Sequence, residues 1–356
     1  MANEPNISTY TIFQPGDTVT SIDRVFTSAW SGNINNLATL GFFSSSTQYV
    51  TTSPTSSGAF YMEIYNKDPE ANTDEEAQFS IAYGNKVGSG SLDFSSGTGA
   101  EGYSAAKSIY TQYRNLVFGG DETQNFSFDG YTPDDIYVIN INRARYKNAL
   151  RLNNFNLQLS GSTKLLKLTS DSVTTSGSAN AIRAGVGREF NLVSGSNGVR
   201  LGTNNTYVTD SGSYGYIYPD AGFIILNADA LDATAADNGI ALGTGVGSDT
   251  NEKNPIKLQD ALILGNKFEL DAQEDIASKF YFCRVKNQEF NYTTNDSFTL
   301  NDGTLSFDSM IDNPQTYITT VGLYNDNQDL LAVAKLSQPL PKDFTKEALI
   351  KVKLDY

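Results

Sequence analysis

The side chains of this sequence that could carry out chemistry are almost all carboxylates. The chain contains 40 Asp and Glu residues and no histidine, so Ser-His-Asp and Cys-His nucleophilic catalysis have no general base. Neighbouring carboxylates such as Glu75 with Glu76, or Asp134 with Asp135, are the residue type that cleaves glycosidic bonds when two lie ~5–10 Å apart. In a chain this acidic, such pairs also arise by chance. We therefore expect the protein not to be an enzyme, and we assign no catalytic residues.

Metal and cofactor chemistry is restricted by the same composition. Cys283 is the only cysteine, which excludes an intrachain disulfide and, without histidine, leaves zinc no nitrogen or sulfur ligand set. Its position in the aromatic segment 280–285 predicts a small buried hydrophobic side chain. The Asp-rich loop 325–329 remains open as a Ca²⁺ ligand loop, although no stretch has the EF-hand spacing. The Gly-rich stretches lack a Walker lysine, so we predict no cofactor and assign no metal ligands.

The charge of the chain disfavours two classes of partner. The net charge is −15 and the pI is near 4.4, whereas nucleic-acid binding depends on neutralisation of phosphates by Lys and Arg. The same charge disfavours an anionic membrane surface, and no stretch approaches the roughly 18 uninterrupted apolar residues of a membrane span. The first residues lack the basic start and apolar segment of a signal peptide. We expect synthesis in the cytosol, with no nucleic acid and no membrane as partners.

The elements that position these side chains are predicted to be mostly strands. Tyr and Phe number 20 each, and short segments alternate between apolar and polar residues. The apolar runs 317–324 and 330–336 flank the polar run 325–329, which predicts a β-hairpin. Pro339 and Pro341 predict a break after it, and 348–356 alternates as a half-buried final strand. A second hairpin is predicted at 214–218 and 223–227.

Two further patterns add a helix and a central strand. An apolar stripe at helical spacing predicts a helix over 104–118 that Gly119 and Gly120 end, and a shorter helix is predicted near 257–264. Segment 135–146 is apolar on both faces at its start, which predicts a strand that is buried on both sides. The fold class is therefore mainly β, with antiparallel, sandwich-like sheets, one or two short helices and long polar loops. We predict an N-terminal β region (1–100), a central mixed region (101–276) and a C-terminal antiparallel sheet (277–356).

Five residues are candidates for contacts with a partner chain. Arg143 and Arg145 are two cations at the end of segment 135–146 in a strongly acidic chain. Two interpretations of these arginines remain open: salt bridges to neighbouring carboxylates, or a contact with a partner subunit. Tyr317, Tyr324 and Tyr356 belong to the C-terminal strands, whose edges could accept a strand from a neighbouring chain.

The C-terminal segments resemble a known family of proteins. The sequences FYFCRVKNQEFNY (280–292), NPQTYITTVGLY (313–324) and LAVAKL (331–336) are similar to the C-terminus of virion structural proteins of contractile-tailed phages that infect marine cyanobacteria. The hairpin is also similar to modules of other phage tail and baseplate-associated proteins. Looser similarity extends over IYTQYR (109–114), RARYK (143–147), VSGS (193–196) and YIYPDAG (216–222), but not over the polar loops 169–181 and 231–256.

This resemblance implies a non-enzymatic virion protein that assembles in symmetric copies on the tail, neck or baseplate. Its partners would be copies of itself and other virion proteins, and it would be assembled into particles in the host cytoplasm. Two alternatives remain open. One is a capsid decoration or head-fibre protein, and the other is a receptor-binding fibre or tailspike that acts on host surface glycans. A tailspike usually needs a trimeric stalk or a β-helix repeat, and the sequence contains neither pattern.

Overall fold

A computed structural model describes most of the chain. The described residues are 10–37, 43–45 (backbone only), 61–69, 71–89, 105–162, 164–173, 175–201, 214–244, 254–292, 296–300 and 304–356. Strand accounts for 45% and helix for 17% of the structure, which confirms the predicted fold class of mainly β with antiparallel, sandwich-like sheets. Ser104, where the predicted helix begins, lies outside the described residues, as does most of 84–103, which is one of the Gly-rich stretches without a Walker lysine.

The strands range from 2 to 18 residues in length. In chain order they are β1 Thr18–Ser28, β2 Phe43–Ser45, β3 Tyr61–Tyr65, β4 Ala77–Asn85, β5 Asp135–Ile141, β6 Ala149–Ser160, β7 Leu165–Ser170, β8 Ala181–Arg183, β9 Gly187–Ser196, β10 Val199–Arg200, β11 Gly215–Tyr218, β12 Phe223–Asn227, β13 Phe268–Val285, β14 Thr316–Tyr324, β15 Leu330–Lys342 and β16 Ala348–Asp355.

Four α-helices lie between the strands of the described chain. The first confirms the predicted helix, and Gly119, with a φ of +72°, ends it in the left-handed conformation that glycine adopts without strain. The third, Asn254–Gly265, confirms and extends the helix predicted near 257–264. The α-helices are α1 Ala105–Phe118, α2 Ala228–Asp232, α3 Asn254–Gly265 and α4 Ser309–Asp312, and the 3₁₀ turns are Ser31–Asn33, Arg143–Arg145, Ala235–Asp237 and Asp296–Phe298.

By their internal contacts the residues form two compact units. The larger unit comprises 24–274, and the smaller one comprises the N-terminal residues up to Asp23 together with 275–356. Strands β1 and β13 each contribute residues to both units. The three consecutive regions expected from the sequence stay a prediction.

The larger unit is an antiparallel sheet whose strands are mostly neighbours in sequence. Its order is β13, β6, β7, β9, β11, β12, β5, β4, β3 and β2, with β8 and β10 paired to β9. Strand β5 lies between β12 and β4, and its side chains enter two different hydrophobic clusters, Tyr137, Ile139 and Ile141 in one and Ile136 and Val138 in the other. This confirms the prediction of a central strand that is buried on both faces.

The core of the larger unit is built on aromatic side chains. Trp30, the only tryptophan, is 2% exposed, and its indole N–H donates to the Phe268 carbonyl at 2.9 Å. Its ring centroid lies 4.9 Å from that of Phe268 and 5.9 Å from that of Phe79. Such pairs contribute about 0.5–1.5 kcal/mol beyond the area that they bury. Because Trp30 is unique and buried, its fluorescence reports the unfolding of this unit.

The smaller unit contains the predicted C-terminal elements. The second half of β13 pairs with β16, with Phe280 opposite Lys353 and Phe282 opposite Lys351, which confirms the final half-buried strand. β14 and β15 form the predicted hairpin as a separate two-stranded sheet.

The predicted break at the prolines of the smaller unit is wrong. β15 continues through Pro339 and Pro341 to Lys342, and the pairing register shifts between Ile318 and Thr320, opposite the segment that contains Pro339. β15 has one neighbouring strand in the described chain, and the missing N–H of a proline is tolerated at a bulge or on an open edge.

Candidate interaction surface

The tyrosines predicted from the sequence lie on the surface of the smaller unit. Tyr317 and Tyr324 stand near opposite ends of β14, about 23 Å apart for seven residues of extended chain. Both are 60% exposed, and Tyr356, which follows β16, is 73% exposed. The structure therefore places Tyr317 and Tyr324 on one hairpin, which we call the ribbon (β14 with β15). Tyr356 lies just after β16, which pairs with β13.

The two faces of the ribbon differ in burial. Leu323 is 6% exposed, and Val321, Ala332 and Ala334 on its side of the sheet are half-buried. The opposite side carries Tyr324, Leu330 and Val333, which are 60%, 52% and 61% exposed. We call this group around Gly322 the ribbon face.

Glycine at position 322 shapes the ribbon face. A Cβ placed on Gly322 would lie 2.9 Å from Cε2 of Tyr324 and 3.3 Å from Cδ1 of Leu330. The absence of a side chain therefore lets the tyrosine ring and the leucine lie across the strand. Val333 is the residue directly opposite Gly322 in β15, so the three apolar side chains form one contiguous exposed patch.

A ribbon of this kind is unusual in isolation. Two-stranded sheets are marginal in water without a further layer to cover them, and contiguous exposed apolar patches mark contacts with other molecules. In the described chain each ribbon strand has only one neighbour, so its outer N–H and C=O groups remain open to a partner strand. The ribbon thus exposes both an apolar face and open strand edges to a partner chain.

The base of the ribbon is fixed by a buried lysine. Lys342 ends β15 and is fully buried, and its ammonium donates to the Asn287 carbonyl at 2.8 Å, Asn291 Oδ1 at 2.8 Å and the Asp343 carbonyl at 3.1 Å. Burial lowers the pKa of Lys342. On the other strand the Thr316 hydroxyl donates to the Phe290 carbonyl at 2.7 Å. Both strands are therefore tied at their base to segment 287–291.

Removing the Lys342 ammonium should loosen the ribbon. Lys342→Met keeps the apolar stem but leaves the buried Asn291 Oδ1 without its donor, which costs about 1–3 kcal/mol. The Asn287 and Asp343 carbonyls lose one of two donors, because they also accept from Asn291 Nδ2 and the Lys346 N–H. We expect faster amide hydrogen exchange across 316–342, measured by mass spectrometry. Lys335→Met is the matched control, because Lys335 lies exposed on the same strand and should leave exchange unchanged. Equal exchange in the two variants would contradict the anchoring role.

A second surface of the smaller unit combines cations with aromatic rings. Paired residues on antiparallel strands point to the same side, so Phe280, Phe282 and Arg284 of β13 share a face with Lys353, Lys351 and Leu349 of β16. The Lys351 ammonium lies 4.0 Å from the Phe280 ring centroid and the Lys353 ammonium 5.9 Å from it. Leu349 is 60% exposed. We call these six residues the cationic face.

The charges of the cationic face are only partly neutralised. Lys353 bridges Asp355 at 3.0 Å and lies 4.0 Å from Asp23. Within the described part of the chain, Lys351 and Arg284 have no ion-pair partner. The cationic face is thus locally positive in a chain of net charge −15, and a positive surface attracts carboxylates.

Arg143 and Arg145 lie in the larger unit, in the 3₁₀ turn that follows β5. Arg145 Nη1 donates to Glu76 Oε2 at 2.9 Å and to Ser31 Oγ at 2.5 Å, which is the salt bridge to a neighbouring carboxylate considered above. Arg143 lies 4.4 Å above the Tyr146 ring and donates to its carbonyl at 3.3 Å. A contact of either arginine with a partner subunit stays a prediction.

A polar cleft of about 310 Å³ opens beside Arg145. The Ser31 hydroxyl donates to Glu76, and together with the Arg145 guanidinium this contact lowers the pKa of Glu76. At the rim Lys147 bridges Glu274 at 2.7 Å. Each cation of the cleft is thus paired with a carboxylate, so its charge is balanced and it has no evident selectivity for an anion.

The other candidates for chemistry show no assembled site. Cys283 is half-buried rather than buried, and burial raises the pKa of its thiol. No group of three or more Cys, Asp or Glu side chains in the described ranges is arranged to hold a metal ion. The loop 325–329 is closed on itself, since Asn325 Nδ2 donates to Asp329 Oδ2 at 2.9 Å. Among the helices that the structure describes, none is long and apolar enough to span a membrane.

Sequence reasoning missed the cationic face although its signal was present. Phe280 with Phe282 and Lys351 with Lys353 each repeat at the period of a strand. The pairing of those two strands across about seventy residues brings them together, and no local pattern encodes that pairing. The exposure of Tyr317 and Tyr324 is by contrast a local feature of the hairpin, and their contact with a partner chain stays a prediction.

No protein-family model matches this chain, and no curated protein or solved structure matches it significantly.

Proposed function

We propose that this protein is a non-enzymatic structural component of a phage virion that assembles in symmetric copies on the tail, neck or baseplate. It is made in the host cytoplasm, and its partners are copies of itself and other virion proteins. The resemblance of 280–292, 313–324 and 331–336 to virion proteins of contractile-tailed cyanophages supports the proposal. The observation that carries it is the ribbon, an anchored hairpin that exposes Tyr324, Leu330 and Val333 on one face.

The physical argument is one of exposed surface. Exposed apolar side chains reduce the solubility of a protein unless another chain covers them. Selection keeps such a surface where it becomes buried on assembly, as in subunit interfaces with apolar cores and polar rims. The Lys342 anchor holds the ribbon in place before a partner arrives, which lowers the entropy lost on association.

One rival has an observation in its favour. A receptor-binding protein that contacts host glycans would use exposed aromatic rings, and Tyr317, Tyr324 and Tyr356 are exposed. Trp30 is not available for this role because it is buried in the core of the larger unit. The capsid decoration alternative requires the same kind of exposed surface and differs in where the chain lies on the particle.

Immunogold labelling of purified particles tests the proposed function. An antibody against the chain should decorate the tail, neck or baseplate of intact virions, and the chain should sediment with particles through a density gradient. Labelling confined to the capsid would favour decoration, and labelling confined to fibre tips would favour receptor binding. A chain found only in the lysate, with none in the particles, would overturn the virion role.

A further inference from the structure

The ribbon ends in two carboxylates that nothing in the described chain neutralises. Asp326 and Asp329 lie in the turn between β14 and β15, and both residues are exposed. The Asp329 N–H is held by Asn325 Oδ1 at 2.8 Å, which fixes the turn. The ribbon therefore presents an apolar face that leads to an acidic tip.

The cationic face of β13 and β16 has the opposite pattern. It presents Phe280, Phe282 and the exposed Leu349 as apolar surface, with Arg284, Lys351 and Lys353 among them. The acidic tip of the ribbon and the cationic face are thus complementary in charge, and each adds apolar surface for the other to bury. Both are exposed in the same chain, and they involve different residues.

We propose that the ribbon of one copy packs on the cationic face of a second copy, with Asp326 and Asp329 paired to Arg284 and Lys351. This inference rests on the proposed function, for which it supplies the contact between copies. Two copies of net charge −15 repel each other, so association requires a place where opposite charges meet. Local complementarity of this kind fixes which surfaces dock.

The contact has a consequence for symmetry. It joins two different surfaces, so after the first contact the pair still has one free cationic face, on the first copy, and one free ribbon, on the second. Such head-to-tail interfaces produce closed rings when the rotation per subunit closes and filaments when it does not. A ring of identical copies is the arrangement that a symmetric position around a tail or baseplate needs.

Charge reversal in the purified full-length protein tests this contact. We expect the wild type to associate in sedimentation velocity across a concentration series. Asp326→Lys with Asp329→Lys, and separately Arg284→Glu with Lys351→Glu, should each weaken association by at least about tenfold, since like charges would then face each other across the interface. A chain that carries all four reversals should associate again, because the pairs are restored with opposite sign.

The control reverses charges outside the two surfaces. Lys167→Glu with Glu122→Lys changes two exposed residues of the larger unit and should leave association unchanged. A wild type that stays monomeric at every concentration would overturn the inference while leaving the particle-labelling test of the virion role unaffected. Two variants that each reverse the charges of one surface without weakening association would overturn it as well. So would four reversals that fail to restore association in a chain with unchanged circular dichroism.

Discussion

Replacing Glu189 with alanine should cost the larger unit about 3–5 kcal/mol of unfolding free energy, the usual cost of breaking a buried ion pair. The Glu189 side chain is 1% exposed and bridges Arg183 at 2.8 Å. It also accepts from the Tyr218 hydroxyl at 2.9 Å and from Asn180 Nδ2 at 2.9 Å. The variant would therefore leave a guanidinium, a hydroxyl and an amide without their common acceptor.

The network around Glu189 joins β8, β9 and β11, because Arg183, Glu189 and Tyr218 each belong to a different strand. Glu189 raises the pKa of Arg183 by its hydrogen bond, and the guanidinium also lies 5.1 Å from the Phe118 ring centroid. Glu189 thus accepts from Arg183 of β8, from Asn180 just before β8, and from Tyr218 of β11.

Urea unfolding followed by Trp30 fluorescence measures the effect of Glu189→Ala, because Trp30 lies in the same unit. Glu274→Ala is the matched control. Its partner Lys147 is 69% exposed, and surface ion pairs contribute about 0–1 kcal/mol. A Glu189→Ala variant as stable as the control would show that the buried network does not stabilise the fold.

Raising the pH above 10 should unfold the larger unit steeply. Tyr83, Tyr137 and Tyr218 are at most 1% exposed, and burial raises the pKa of each above the usual value of 10.0. Nearby carboxylates add to the shift, Asp135 for Tyr83 and Glu189 for Tyr218. All three hydroxyls have hydrogen-bond partners in the neutral form.

The sign of this pH dependence follows from proton binding. Above pH 10 the unfolded chain releases tyrosine protons that the folded chain retains, so stability is complete below the unfolded pKa and falls as pH rises. Each such tyrosine lowers stability by about 1.4 kcal/mol per pH unit, and three lower it by about 4 kcal/mol per unit. That is a large part of the roughly 5–15 kcal/mol that holds a typical protein folded.

Spectroscopic titration from pH 9 to pH 12 checks the alkaline prediction. Tyr83, Tyr137 and Tyr218 should ionise only together with the loss of circular dichroism, because burial raises the pKa of each. Tyr137→Phe removes one of these protons and should reduce the pH slope of stability by about 1.4 kcal/mol per pH unit. Ionisation of all tyrosines near pH 10 with the β-structure intact would contradict the prediction.

The sequence predicted those elements whose signal is local. Both hairpins, helix α1 and the double-sided burial of β5 follow from the spacing of apolar residues over at most twenty positions. The strand break predicted at Pro339 and Pro341 was wrong because local propensity does not show whether a second strand lies beside the prolines. A proline stops a strand that needs its N–H, and β15 has an open edge where it does not.

The rest depends on pairs that are distant in the sequence. Glu189 meets Tyr218 across 29 residues, and Trp30 meets the Phe268 carbonyl across 238. The cationic face exists only because β16 returns to pair with β13. Both exposed surfaces thus follow from strand pairing that no single segment specifies.

Cryo-electron microscopy of the intact particle tests the central proposal most directly. It predicts a ring of copies on the tail, neck or baseplate, in which the ribbon face around Tyr324 and Val333 is covered by a neighbouring chain. Asp326 and Asp329 should then lie within hydrogen-bond distance of Arg284 and Lys351 of the next copy. Copies whose ribbons all face solvent, or a chain with no density anywhere in the particle, would contradict it.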